Sequence, residues 1–207
     1  MSHWPVDELL RPYLIAITNR KRLHMPLTEW AKSVLEGGVD LIQLREKDLS
    51  EDELRPIAME LLEVLDSPRD LQINGLPDLA KELGCGLHLP EAMAVMDEPL
   101  HPFSRSVHSA HSIATSMNPD FLIAGHLFST PSKAGLPARG LSWLQSVVQS
   151  APVPVVAIGG IDASNAASAI GAGAAGIAVI SALTDVLDPC LSAQDLRTVI
   201  DREWMQR

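Results

Sequence analysis

Short apolar runs alternate along the chain with longer stretches in which apolar residues recur at helical spacing. Eight runs read as strands: residues 13–18, 41–45, 71–74, 86–89, 104–108, 121–124, 153–158 and 176–180. Helical patterns lie between most of them. The first covers 27–36 and stops at Gly37-Gly38, where glycine ends a helix at little cost. The second starts from Ser50, with Glu53 completing a capping box, and runs to about Asp66 despite Pro56. Further helices are predicted over 76–83, 109–117, 141–150, 162–171 with Asp162 as cap, and 192–204. Residues 91–103 give no helical pattern, because Pro99 and Pro102 break it early.

Strands and helices in this alternation predict a single (β/α)8, or TIM, barrel forming one domain over residues 1–207. The strands are apolar throughout, which suits a parallel sheet covered on its outside. A doubly wound sheet is the competing architecture. The strand count and the lack of a glycine fingerprint after the first strand weigh against it. Residues 125–140 are rich in Gly, Pro and Ser and have no period, so they read as a lid or binding loop.

Composition narrows the class. Hydrophobic residues make up 46% of the chain, enough for a large core. A net charge of −10 ill suits nucleic acid or anionic membranes as partners, and 4% aromatics leave little for base stacking. Cys85 and Cys190 are too few for a disulfide framework and are expected to be reduced. The first residues, MSHWPVDELL, carry no signal-peptide pattern, and no run reaches membrane-span length. The expectation is a cytoplasmic protein with no membrane partner. A homodimer is compatible with a small barrel of this kind.

The polar residues at strand ends carry the chemistry, since barrels of this type work at the C-terminal ends of their strands. Residues i, i+2 and i+4 of a strand share a face. Gln43, Arg45 and Lys47 therefore point together, and two cations with an amide are wrong for a packed core. At the barrel mouth they would form an anion site, with Arg45 gripping phosphate or carboxylate through two hydrogen bonds. The competing reading is a frayed strand end, with Arg45 and Lys47 paired to Glu46, Asp48 or Glu51. Asn74 either bonds a ligand or caps a turn with Gly75.

Gly159-Gly160 and Ile180-Ser181 follow the seventh and eighth strands, where this fold usually holds phosphate. Glycine lets backbone N–H groups approach an anion; a tight turn is the plainer account. His88, His108 and His126 lie near strand ends, and imidazole suits proton transfer near neutrality, although each taken alone reads as structural or exposed. Their spacing does not make a zinc site, and no nucleophile elbow or Walker pattern is present, so no metal is expected.

Taken together, LIQLREK (41–47), QINGLPDLAKELGCGLHLP (72–90), SVHS (106–109), AGHLFSTPSKAGLPARG (124–140), VVAIGGI (155–161) and GAAGIAVIS (173–181) resemble the thiamin-phosphate synthase/TenI superfamily. Within it, the synthase pattern implies an Asn-Asp pair after the third strand and a second Asp past the fourth, both on Mg²⁺. Here Asn74 is followed by Gly75, and Pro90, Glu91, Ala92 and Met93 follow His88-Leu89. These positions are similar to the TenI-type thiazole tautomerases instead. So are SVHS and the spacing of Gly125, His126, Phe128, Thr130, Lys133, Gly135, Arg139 and Gly140.

That resemblance implies an isomerase with a small phosphorylated thiazole ligand and no organic cofactor. His108 would take the acidic C2 proton of a carboxythiazole phosphate and return it to the exocyclic carbon, giving an aromatic ring. Gly159, Gly160, Ile180 and Ser181 would hold the phosphate. Arg45 and Lys47 would offset the negative carboxylate, with Gln43, Asn74, Thr130 and Lys133 also lining the ligand. Two alternatives stay open: a divergent thiamin-phosphate synthase with Glu91 as a substitute ligand, and a non-catalytic binding or regulatory protein.

Overall fold

The computed structural model describes residues 11–94, 100–109, 112, 113, 119–130, 133 and 135–207. Eight parallel strands close into a barrel in chain order: β1 Tyr13–Ile17, β2 Leu41–Leu44, β3 Leu71–Asn74, β4 Gly86–Leu89, β5 Phe103–Val107, β6 Phe121–Gly125, β7 Val155–Ile158 and β8 Gly176–Val179. The (β/α)8 barrel expected from the alternation is therefore the fold.

Outside it lie α1 Leu27–Glu36, α2 Glu51–Leu62, α3 Pro77–Leu83, α4 Gly140–Ser150, α5 Ala166–Gly171, the single turn α6 Ser181–Thr184, and α7 Pro189–Trp204. Helix α7 packs on α1 and α5 and closes the outer ring. Among the described residues, no helix is long and apolar enough to cross a membrane. Residues 1–10 and most of the helix expected over 109–117 lie outside the described residues; Ser112 and Ile113 are helical.

Several boundaries differ from the sequence reading. Helix α5 starts at Ala166 rather than 162, because the Asp162 carboxylate accepts from Ser164 N–H (2.8 Å) and closes a separate turn first. Helix α7 starts three residues early, with Pro189 at its first position and Asp188 capping Leu191 N–H (2.9 Å). The Ser50–Glu53 capping box is present, but α2 ends at Leu62. Strand β2 ends at Leu44 and not at 45, because the Thr18 hydroxyl, not a strand carbonyl, takes the Arg45 N–H (3.0 Å). Ile180-Ser181 is not a plain loop: it opens α6, which is held by the buried Trp30 indole N–H donating to Leu183 O (2.7 Å).

The barrel interior is split by polarity. Tyr13, Ile15, Ile17, Leu41, Phe121, Ile123, Val156 and Ala178 form one apolar cluster inside it. The other side carries buried Gln43, Gln72, His88 and Ser104. At the N-terminal end of the strands, Arg197 of α7 donates to Pro12 O (2.7 Å), Gly38 O (3.2 Å) and Asp40 (2.5 Å). Asp40 also accepts from Leu14 N–H (2.8 Å), so one clamp ties the last helix to the first two β/α units.

Candidate functional site at the barrel mouth

Three strand ends supply the groups that face the mouth. On β2 Gln43 is buried, and just beyond it Arg45 is half-buried and Lys47 exposed. Of the competing reading, the strand does end early, at Leu44, but the pairing it expected is absent among the described residues. Glu46 and Asp48 bind Arg20 (3.1 and 2.8 Å), Asp48 also binds Lys21 (2.8 Å), and Glu51 binds Arg55 (3.0 Å). Among the described residues, no carboxylate bonds to the Arg45 or Lys47 side chain.

Burial pulls the Arg45 guanidinium below its usual value. The Lys47 ammonium is lowered first by Arg45, then by burial, and then by Lys133 from the loop after β6. Cations that destabilise one another in this way mark a local positive field in an acidic protein. Arg45 acts electrostatically on Lys47, although both residues lie beyond the end of the strand and Lys47 lies in a turn. The structure adds Lys133 to the group. Lys133 N–H donates to Thr130 O (3.0 Å), which places both residues on the same turn of that loop.

A chain of hydrogen bonds runs inward from Asn74. Its Nδ2 donates to Gln43 Oε1 (3.4 Å), and Gln43 Nε2 to Gln72 Oε1 (3.4 Å). Ser104 also donates to Gln72 Oε1 (3.1 Å). The Ser104 oxygen is then left to accept from His88 Nδ1 (2.8 Å), and His88 Nε2 accepts from Ser106 (2.9 Å). Asn74 is thus tied through its side chain into a polar network inside the barrel.

His88 is a core histidine in its neutral form. Burial, with help from Arg45 and Arg105, pushes its pKa down to about 3. The unfolded chain therefore binds a proton near pH 6.5 that the folded chain refuses. Stability should fall with acid between those values, by about 2 kcal/mol from pH 7 to pH 5. In His88→Gln that component should vanish, which urea titrations at the two pH values would show.

His108 continues the inward row of Ser104 and Ser106 just beyond β5. Its Nδ1 donates to Gly125 O (2.8 Å), which fixes the tautomer and leaves Nε2 bare. Nε2 lies 3.8 Å from Glu91 Oε2. Arg105, buried on the outer face of β5, sets this apposition by donating to the carbonyls of Glu91 (3.0 Å) and Met93 (2.8 Å). Ser106 and Arg105 were not singled out from the sequence, and Glu91 only as a substitute metal ligand. The alternation of 104, 106 and 108 was the available signal for Ser106.

Two positions decide which cation the site could hold. A Cβ on Gly75 would lie 3.6 Å from Met93 Sδ, so the two places where the synthase pattern puts its Mg²⁺ aspartates face one another. Neither carries a side-chain oxygen. A thioether and a bare backbone do not suit a hard cation, so the residues present do not fit Mg²⁺ there. Among the described residues, no three His, Cys, Asp or Glu side chains cluster at metal-binding distance.

Gly159 and Gly160 have a packing reason as well. Their φ values are 104° and 66°, and a Cβ on Gly159 would sit 2.5 Å from His126 Cβ. The loop after β6 lies directly on them, with Phe128 N–H donating to Gly159 O (2.9 Å). No backbone hydrogen bond among the described residues uses the N–H of Gly160 or Ser181. These groups follow the adjacent strands β7 and β8; one strand separates β8 from β2, after which Arg45 lies, and one separates β7 from β5, after which His108 lies. His126 Nε2 is buried without a partner among the described residues.

The family described as thiamine monophosphate synthase matches residues 14–183. A thiamine-phosphate synthase of Mycolicibacterium smegmatis is 34% identical over 218 residues, covering 95% of each chain. Another, from Albidiferax ferrireducens, is 36% identical and covers 84% of this chain and 85% of its own. The solved thiamine phosphate pyrophosphorylase of Pyrococcus furiosus superposes with a TM-score of 0.80 at 29% identity, covering 92% of this chain and 96% of that one.

Proposed function

Because the chain belongs to the thiamine monophosphate synthase family, we propose that it is an enzyme of thiamin biosynthesis that aromatises a carboxythiazole phosphate by metal-independent proton transfer, an isomerase rather than the coupling synthase. One observation carries this reading: Gly75 and Met93 face each other where the coupling reaction needs two carboxylates on Mg²⁺. Departing pyrophosphate needs such neutralisation; a proton shift within one ring does not.

The residues take roles accordingly. Bare Nε2 of His108 accepts the C2 proton, while Nδ1–H stays on Gly125 O. The imidazolium so formed lies beside the Glu91 carboxylate. It then returns the proton to the exocyclic carbon. Arg45, Lys47 and Lys133 offset the ligand carboxylate and the charge spread in the deprotonated ring. The free N–H groups of Gly160 and Ser181 hold the phosphate, with Gly159 and Ile180 shaping those turns. Gln43, Asn74 and Thr130 orient the ring. The proposed ligand needs no nucleic acid or membrane partner.

The name shared by the relatives favours a second reading, the synthase itself, joining hydroxymethylpyrimidine pyrophosphate to thiazole phosphate. One pair of assays separates the two. NMR of the tautomer substrate with excess chelator should show full conversion to the aromatic product. Incubation of the two synthase substrates with Mg²⁺ should give no thiamin phosphate. Mg²⁺-dependent thiamin phosphate would overturn the isomerase reading. Tight binding without turnover in either assay would mark a regulatory protein.

A further inference from the structure

The cations at the mouth have acidic neighbours in sequence, and those acids are engaged elsewhere. Arg20 lies in the short turn Arg20–Arg22 after β1. Its backbone N–H donates to Glu46 Oε1 (2.9 Å) and its Nη1 to Glu46 Oε2 (3.1 Å). The same guanidinium grips both oxygens of Asp48, each at 2.8 Å. Lys21 adds a third contact to Asp48. The Glu46 side chain is 3% exposed, so Arg20 is its main compensation. Glu46 nevertheless acts through space on its neighbour Arg45.

We infer that Arg20 is a positioning residue for the anion site: by sequestering Glu46 and Asp48 it keeps Arg45 and Lys47 free for the ligand. This rests on the reading of Arg45 and Lys47 as ligand-facing cations, and it does not depend on which reaction follows. Without Arg20, Glu46 loses its cation and Asp48 keeps only Lys21, so two carboxylates within one residue of these cations are left less neutralised. They would then compete with an incoming anion for the same guanidinium and ammonium. Arginine suits the task better than lysine, because its planar fork spans two acids at once.

Inorganic pyrophosphate, a compact polyanion, is the probe, titrated calorimetrically at low, fixed ionic strength. Arg45→Ala serves as the control and should abolish or strongly weaken binding. Arg20→Gln should weaken it about five- to tenfold, and adding Glu46→Gln and Asp48→Asn to Arg20→Gln should restore it to within about twofold. The same two acid substitutions in the wild-type background should change affinity little.

That non-additivity is the signature, because a general field effect of charge would be equal in both backgrounds. Equal effects, or a loss in Arg20→Gln that the acid substitutions fail to restore, would overturn the inference. Unchanged binding in Arg45→Ala would remove the anion site and the inference with it. Should Arg20→Gln fail to fold because Glu46 is left alone, the cycle is run with Arg20→Lys and Asp48→Asn. Arg20→Lys leaves a cation for Glu46 but cannot span both acids. It should show a smaller loss of the same non-additive kind, and additivity there overturns the inference equally.

Discussion

His108→Ala should lower turnover of the carboxythiazole tautomer by about 10²- to 10⁴-fold while leaving the barrel folded and phosphate binding intact. The magnitude follows from removing the group that takes and returns the proton, with the orienting and charge-stabilising parts left in place. Its folding cost should be small, because the imidazole is exposed at the mouth and its one structural bond is to Gly125 O. NMR of the substrate reads the rate, and titration with thiazole phosphate reads the binding. His108→Gln extends the test, since an amide can still donate to Gly125 O but cannot carry a proton. Turnover at the wild-type rate in either variant would take the reaction away from His108. Loss of binding together with turnover would make it a structural residue of the mouth.

Much of this site was legible in the sequence, and the reason is local. Apolar runs set the eight strands, alternation along the second strand grouped Gln43 with Arg45, and His108 was singled out by its place at a strand end and by the family resemblance. The two cations of QLREK stood out because such charge cannot pack in a core. What was not legible depends on distance. Nothing near Glu46 in sequence says that Arg20, 26 positions earlier, will engage it. The approach of Glu91 to His108 comes from Arg105 holding two carbonyls of the preceding loop. The tautomer of the neutral His88 depends on Gln72 and Ser104 from two other strands, whose hydrogen bonds leave the Ser104 oxygen to accept from Nδ1. Helix α6 escaped because one turn has no period to detect, and Asp162 misled because a side chain that caps a helix can equally close a turn ahead of it.

The second large effect is on stability and lies at the opposite end of the barrel. Arg197 is nearly buried and donates to two backbone carbonyls, to Asp40 and, within its own helix, to Asp201 (3.0 Å). Replacing it by Ala leaves Pro12 O and Gly38 O without a donor and Asp40 short of its inner partner. Removing one member of a buried pair typically costs about 3–5 kcal/mol. The lower end applies here, since Arg11 also reaches Asp40 (2.5 Å) from the solvent side. At about 2–4 °C per kcal/mol for a chain of this length, Arg197→Ala should melt roughly 6–12 °C below wild type. Arg197→Met should recover part of the packing loss but not the hydrogen bonds, because the aliphatic stem packs against Gly38 while the fork does the bonding. Below the melting transition both variants should keep wild-type turnover, because the clamp joins α7 to the N-terminal ends of the strands and touches nothing at the mouth. A melting point within about 2 °C of wild type would show that Arg11 alone satisfies Asp40 and that water replaces the other bonds. A fall in turnover at low temperature would instead mean that strain at the closing helix reaches the loops at the far end.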